Sequence, residues 1–334
     1  MDTITLAHGS GGRLSRELIE EIIYPIFNNN NGHELYDSAL LPLKKSTIAM
    51  TTDSFVISPI FFPGGNIGKL AACGTINDLA AAGAIPKYMS VGLIIEEGFL
   101  IKDLQEILIS LYETAVEADV YVVTGDTKIV ERGSADRIYI NTSGIGIVPE
   151  GASVSPKNIN VDDLVIVNGT IGDHGMAILS CREGLSFGVN LKSDCTPLNG
   201  LVKELLDVGG ISCMRDPTRG GLASILLELA HQSGTKMEIC EKAIPLHPSV
   251  RAGCDMLGLD PLYLANEGKL AIIANPSKKE EIMRVLQSHP LGKNAQVIGR
   301  VASRDLKGTV LLETDLGVKR PLMLLEGEEL PRIC

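Results

Sequence analysis

Hydrophobic and polar positions alternate over residues 46–52 (STIAMTT), the period of two expected of a strand with one buried face. The alternation stops at 67–83, where alanines dominate and a helix is predicted. Residues 88–95 return to a strand, so this stretch opens as a β-α-β unit. Apolar residues at helical spacing occupy 100–118, a compact apolar run at 120–123 predicts a buried strand, and 137–148 alternates until Pro149-Glu150-Gly151 breaks it. The second half repeats the style, with strands predicted at 164–167, 270–274 and from 296 onward, and helices at 175–181, 198–208, 219–231 and 278–287. The resulting division is an arm over 1–35, ending in the polar run Asn28-Asn29-Asn30-Asn31-Gly32, domains over 36–150 and 151–322, and a tail over 323–334.

Composition narrows the class. The chain has 334 residues, 45% of them hydrophobic, enough for two cores, and 35 glycines for tight backbone turns. A formal net charge of -11 argues against a broad nucleic-acid or anionic-membrane surface, while leaving room for a local phosphate pocket. The start lacks a basic region followed by an apolar run, and no stretch reaches bilayer length, so a cytoplasmic location is expected. Seven cysteines, at 73, 181, 195, 213, 240, 254 and 334, form no CxxC or Cys/His pattern, and their odd number does not suit a closed disulfide framework.

Candidate chemistry falls at the predicted element ends. Asp53 ends the first strand, Asn77 and Asp78 lie in the alanine-rich helix, and Thr124-Gly125-Asp126-Thr127-Lys128 follows the predicted buried strand. Carboxylates so placed suit Mg²⁺ bound through phosphates, although aspartate is also common in ordinary turns. Two glycine-rich segments, His8-Gly9-Ser10-Gly11-Gly12-Arg13 and Asp216-Pro217-Thr218-Arg219-Gly220-Gly221, offer flexible amides plus a guanidinium; neither is a P-loop. Gly172-Asp173-His174-Gly175 raises the same question more weakly, with His174 read as a hydrogen-bonded loop residue. Finally, the chain ends Pro331-Arg332-Ile333-Cys334, which places a thiol where it can meet an external partner and then swing into a pocket.

Taken together, HGSGGR, the segment TTDSFVISPIFFPGGNIGKLAACGTINDLAAAGAIP, TGDTK, GDHG, DPTRGG, NEGK and the terminal PRIC resemble the HypE family of hydrogenase maturation factors over nearly the whole length. The TTDS to NDLAAAGA stretch alone indicates the wider superfamily of aminoimidazole ribonucleotide synthetase, selenophosphate synthetase and thiamine-monophosphate kinase. The resemblance implies a two-domain α+β fold of aminoimidazole ribonucleotide synthetase type. It implies a homodimer whose N-terminal domains form a β-barrel, a C-terminal α/β sandwich, and ATP in the cleft between the domains. It also implies the reaction. A carbamoyltransferase, HypF, would load a carbamoyl group onto Cys334. ATP would phosphorylate the carbamoyl oxygen, and loss of phosphate would leave a thiocyanate whose cyanide passes to iron held by HypC and HypD. On this resemblance Asp53, Asp78 and Asp126 would hold Mg²⁺. Gly9, Gly11, Gly12, Asn77, Asp78, Gly125, Asp126, Thr127, Asp216, Thr218, Arg219 and Gly220 would contact nucleotide, while Lys128 and Glu267 would act on the carbamoyl group.

The rival readings differ in their use of thiols. Selenophosphate synthetase would need a cysteine or selenocysteine near the start, whereas the first cysteine here is Cys73, inside a predicted helix. Thiamine-monophosphate kinase would share the ATP site and have no use for a terminal thiol. A metallochaperone carrying a soft metal on Cys334 would lack a second thiol or imidazole beside it.

Overall fold

A computed structural model describes residues 12–17, 20, 39–43, 46–184 and 191–325. The first half contributes β1 (Ala39–Leu43), β2 (Ser46–Phe55), the short pair β3 (Phe61–Phe62) and β4 (Gly65–Asn66), β5 (Ile85–Glu96), β6 (Tyr121–Val130) and β7 (Ile138–Val148). Five of these form one sheet in the order β1-β2-β7-β5-β6. Its neighbours run antiparallel except β5 and β6, whose parallel pairing requires a crossover, supplied by a helix over Ile101–Glu117.

This sheet is buried on one face. Along β5, Met89, Val91, Leu93 and Ile95 are buried, whereas Tyr88 and Ile94 stand in solvent. The buried set packs with Ile107 and Leu111 of the crossover helix and with Ile67, Leu70 and Ile76 of the helix Ile67–Ala81. That second helix starts where Asn66 caps it, its side-chain oxygen accepting from the amides of Gly68 at 2.9 Å and Lys69 at 3.1 Å. Of its 15 residues 13 are buried, so it has no solvent face. At Gly68 it lies so close to the crossover helix that a Cβ would meet the Ile107 carbonyl oxygen at 2.1 Å.

The second half forms a seven-stranded sheet, β14-β13-β10-β12-β8-β11-β9. Its strands are β8 (Leu164–Val167), β9 (Ile211–Arg215), β10 (Thr235–Cys240), β11 (Ala271–Ala274), β12 (Gln296–Arg304), β13 (Thr309–Glu313) and β14 (Lys319–Pro321), antiparallel throughout except β10 with β13. Both faces are covered, which explains the unbroken apolar run of β11. Val165, Val167 and Ile273 face the helix Gly221–Ser233, while Ile166, Ile272 and Ala274 face the helices Asn199–Val208 and Lys279–Ser288. Two further helices, Asp173–Glu183 and Pro248–Leu257, pack on each other through Met176, Leu179, Val250 and Cys254.

The apolar run at 120–123 is not a buried strand. Val120 alone is buried, and Tyr121 begins the ten-residue edge strand β6, exposed along almost its whole length, so Thr124 to Lys128 lie within a strand rather than in a loop after one. Asp53 likewise lies inside β2, which continues to Phe55. Strands β9 and β10 and the helix Pro248–Leu257 add to the predicted elements, and TKMEIC at β10 does carry a period-two signal.

The halves share their cores. Ile178, Cys195 and Ala265 join the first cluster, and Ala80 and Ala81 pack with Leu198, Leu201 and Ile272 of the second half. Asn77 completes the junction. Its Nδ2 donates to the carbonyls of Thr196 at 3.1 Å and Glu267 at 3.2 Å, and its Oδ1 accepts from the Leu198 amide at 2.8 Å. Replacing it by Ala leaves these buried backbone groups without their partner, so Asn77→Ala is expected to cost about 1–3 kcal/mol in urea unfolding. The transition should broaden or split as the halves uncouple; an unchanged single transition would show that apolar packing alone joins them.

Candidate active site

Carboxylates from the first half gather on the helix-covered face of its sheet. Asp53 on β2 accepts a hydrogen bond from Thr75 Oγ1 at 3.3 Å, and Thr51, two residues earlier on the same face, donates to Asp78 Oδ2 at 2.7 Å. Burial pushes the Asp53 carboxyl above its ordinary range, opposed by the charge of Arg219 and by hydrogen bonds to Asp78 and Thr75. Two acids in contact under one guanidinium fit a Mg²⁺ ion, which takes one or two carboxylates and completes its shell with water and phosphate. Among the described residues no three His, Cys, Asp or Glu groups gather into an all-protein metal cage.

Loops of the second half meet this face, knitted by buried asparagine and aspartate side chains. Asn266 donates to the carbonyls of Pro217 at 3.0 Å and Leu264 at 2.9 Å and accepts from the Gly172 amide at 2.7 Å, so three of the singled-out motifs are tied together by one residue. Asp194 Oδ1 accepts from the Glu267 amide at 3.1 Å, while its Oδ2 lies 3.1 Å from Lys269 Nζ. Burial alone would raise the Asp194 carboxyl; Lys269, His174 and the Glu267 amide outweigh it and hold the group below its usual range. His174 is fully buried, with Nδ1 2.8 Å from Ser193 Oγ.

Glu267 is strongly altered by its surroundings. It is only 3% exposed, and burial drives its carboxyl well above the ordinary range, reinforced by Cys195, Asp216, Asp194 and Asp53. Asp216, itself buried, lies just ahead of Arg219 and the helix Gly221–Ser233. Cys195 shares a hydrogen bond with Cys73, which together with burial raises its thiol well above the usual value; both sulfurs belong to the packed junction.

Several of the expected residues have protein partners of their own. The side chain of Asn77 bonds the backbone of Thr196, Glu267 and Leu198 at the domain junction. Gly220 and Gly221 adopt φ of +73° and +62°, and a Cβ at Gly221 would lie 2.5 Å from the Leu262 carbonyl oxygen. What comes close to Gly221 is the protein's own backbone. Gly125 similarly abuts β5, 2.3 Å from a Cβ position to the Val91 carbonyl oxygen, and Thr127 sits opposite Leu93. Gly12 backs onto the Leu325 carbonyl, while Gly9, Gly11 and Cys334 lie outside the described residues. Thr218 holds the turn into the helix, its carbonyl accepting from the Gly221 amide at 3.1 Å.

The largest departure concerns Asp126 and Lys128. Asp53 pairs across to Thr142, then Val91, then Gly125, so Gly125 shares its face and Asp126 has the opposite one. Asp126 aligns instead with Gly92, Asn141 and Ser54 on the bare face, and Lys128 with Ile94 and Tyr139. Three strand spacings, roughly 14 Å, also separate β2 from β6. Within one chain neither residue joins Asp53, Asp78 or Glu267. Residues that the sequence reading missed are Thr51, Thr75, Asp194 and Lys269, although Lys269 stands inside the quoted NEGK motif.

Comparison with known proteins agrees with this architecture. Residues 36–148 match the model of the AIR synthase related protein N-terminal domain, and 160–311 that of the C-terminal domain. The carbamoyl dehydratase HypE of Azotobacter vinelandii is 48% identical over 99% of this chain and 97% of its own length. A solved HypE in a HypE-HypF complex superposes with a TM-score of 0.86 at 46% identity, covering 93% of this chain and 99% of that one. HypE solved in complex with ATP gives a TM-score of 0.83 at 46% identity over 99% and 100%.

The protonated state of Glu267 has a thermodynamic signature. Its folded-state affinity for the proton exceeds that of the unfolded chain, so the native state binds more protons above the ordinary glutamate range and stability falls as pH rises through that window. Glu267→Gln removes this term. Urea unfolding between pH 4.5 and pH 8 (roughly the range where a raised carboxyl titrates) should therefore show the Gln variant gaining stability relative to wild type as pH increases. Parallel pH profiles would mean that Glu267 is already ionised in the native protein.

Proposed function

The chain belongs to the HypE family of carbamoyl dehydratases within the AIR synthase related proteins, and from that footing we propose that it uses ATP to dehydrate a carbamoyl group carried on Cys334 to a thiocyanate. The thiocyanate would supply cyanide ligands for the iron of [NiFe]-hydrogenase. The observation that carries this reading is Glu267, a carboxyl buried where the acidic face of the first half meets the loops of the second, with its pKa pushed upward by that burial. A group that must take a proton from a weakly acidic N–H in a water-poor cleft needs such a setting.

In this reading the amide oxygen on the thiocarbamate is a poor leaving group, and phosphoryl transfer from ATP converts it to one. Loss of phosphate with removal of the N–H proton then leaves S–C≡N, so one carbamoyl group and one ATP give thiocyanate, ADP and phosphate. A divalent cation at Asp53 and Asp78 would supply charge neutralisation on the transferred phosphoryl group. Arg219, exposed beside Asp53, is placed to meet phosphate oxygens with a guanidinium fork. Burial first, and then the neighbouring acids, favour the protonated form of Glu267, so positive charge brought close to it would be needed for it to act as a base.

Lys128 and Asp126 require a second chain. Met50, Tyr88, Ile94 and Ile147 leave the outer face of the five-stranded sheet with apolar residues that nothing among the described residues covers, next to the open edge of β6. Two copies joining these sheets into a barrel would cover them, and Lys128 would then serve the site of the neighbouring copy to stabilise the phosphorylated carbamoyl group. HypF is the expected loading partner, by likeness to the solved HypE-HypF complex, and a HypC-HypD pair the expected acceptor. Among the described residues no helix is long and apolar enough to cross a membrane.

Intact-mass measurement tests the cargo. Incubated with HypF and its carbamoyl donor, the wild type should gain one carbamoyl group on Cys334 and lose the mass of water when ATP and Mg²⁺ are added, whereas Cys334→Ala should gain nothing. A modification mapped to Cys73 or Cys181 would overturn the assignment. The shared site is tested by mixing. Lys128→Ala and Glu267→Gln should each load and fail to dehydrate, yet a re-equilibrated mixture should recover roughly a quarter of the wild-type rate, because half of randomly paired dimers carry one intact site. No recovery would place both residues in one chain's site or exclude Lys128 from the chemistry.

A further inference from the structure

The point at which the chain leaves its last strand is held by hydrogen bonds from two distant parts of the sequence. Tyr263 Oη donates to the Met323 carbonyl at 2.7 Å, and the Arg13 amide donates to the Leu325 carbonyl at 3.0 Å. Gly12 fits tightly against that second carbonyl, where a Cβ would lie 2.4 Å from the oxygen. Leu322 sits in the core of the second half with its amide on the Val310 carbonyl at 2.9 Å, and Leu325 is buried. The short helix Arg13–Glu17 is itself pinned to the end of the helix Gly221–Ser233, Arg16 donating to His231 Nδ1 at 2.9 Å.

Tyr263 is not a chance neighbour of the site. It closes the turn Pro261–Tyr263 against which Gly221 packs, and it precedes Glu267 by four residues, the intervening Asn266 being locked from three directions. One rigid piece of backbone thus places both the candidate base and the root of the tail. Cys334 stands nine positions beyond Leu325, a tether that spans at most roughly 30 Å. Freeing the root would lengthen that tether and dilute the thiol around Glu267, since the effective concentration of a tethered group falls as its linker grows.

We infer that Tyr263 is a positioning residue for dehydration: its hydroxyl, opposed by the Arg13 amide, fixes the pivot from which the tail presents Cys334 to Glu267. This rests on the carrier reading of Cys334. The Tyr263→Phe variant removes the hydroxyl and keeps the ring in its packing. It should load carbamoyl as wild type and keep the KM for ATP, while single-turnover dehydration at saturating ATP slows about 2- to 12-fold, the equilibrium factor that one net hydrogen bond is worth. Hydrogen exchange of the amides of 322–325 should quicken by a similar factor. Unchanged exchange would overturn the clasp, and faster exchange with an unchanged dehydration rate would overturn its part in the reaction. A wild type whose carbamoyl group persists with ATP would sink the dehydratase reading and the positioning role with it. A defect confined to the variant's rate supports both, so the two failures are distinguishable.

Discussion

The helix Ile67–Ala81 is buried on every side, and the remaining elements take their places around that constraint. One side receives the inner face of the five-stranded sheet, another the crossover helix, and the last turn receives Leu198, Leu201 and Ile272 of the second half. A helix in such a position cannot be amphipathic, which is why its sequence shows alanines rather than an apolar stripe. Its few polar residues are consequently committed. Thr75 and Asp78 address the acidic face, and Asn77 addresses the backbone of the second half.

The loops around Glu267 obey a related rule. Irregular backbone brought into a domain junction must still satisfy its amides and carbonyls, and here asparagine side chains provide the partners. Asn168 does so for Leu270 and Leu291, Asn266 for Gly172, Pro217 and Leu264, and Asn77 for Thr196, Glu267 and Leu198. Because each carries a donor and an acceptor on one rigid amide, each fixes two or more loops at once. The chemistry of the site follows from this rigidity. A carboxyl held among like charges without room to relax has no cheaper response than to keep its proton.

Period and motif made much of the fold legible. The alternation of β2, β5 and β7 and the alanine-rich helix stand where the pattern put them, and the motifs DPTRGG, NEGK and GDHG converge in space. What the pattern could not convey was sidedness across strands. Asp126 and Asp53 are both carboxylates of the first sheet, yet pairing through β7 and β5 gives them opposite faces, and that register depends on contacts between residues far apart in sequence (for example Asp53 with Thr142 and Val91 with Thr142). The apolar run Tyr121 to Val123 misled for a similar reason, because an apolar strand reads the same whether or not its neighbours in the sheet bury it. Glycines carry a different ambiguity. Gly125 and Gly221 do mark close approach, but by neighbouring backbone, and nothing in a single sequence distinguishes that visitor from a phosphate.

The alanines of the central helix also act as a gauge. Ala71, Ala72, Ala80 and Ala81 are fully or almost fully buried, so the helix is thin where it separates the two sheets. A thin partition lets a side chain as short as asparagine reach across it, and it brings Asp53 within electrostatic range of Glu267. Widening the partition by even one methyl-bearing branch would leave each half folded around its own sheet while moving the two sets of acids apart. The spacing between the two sets of acids is therefore calibrated by alanine side chains buried in the helix that parts them.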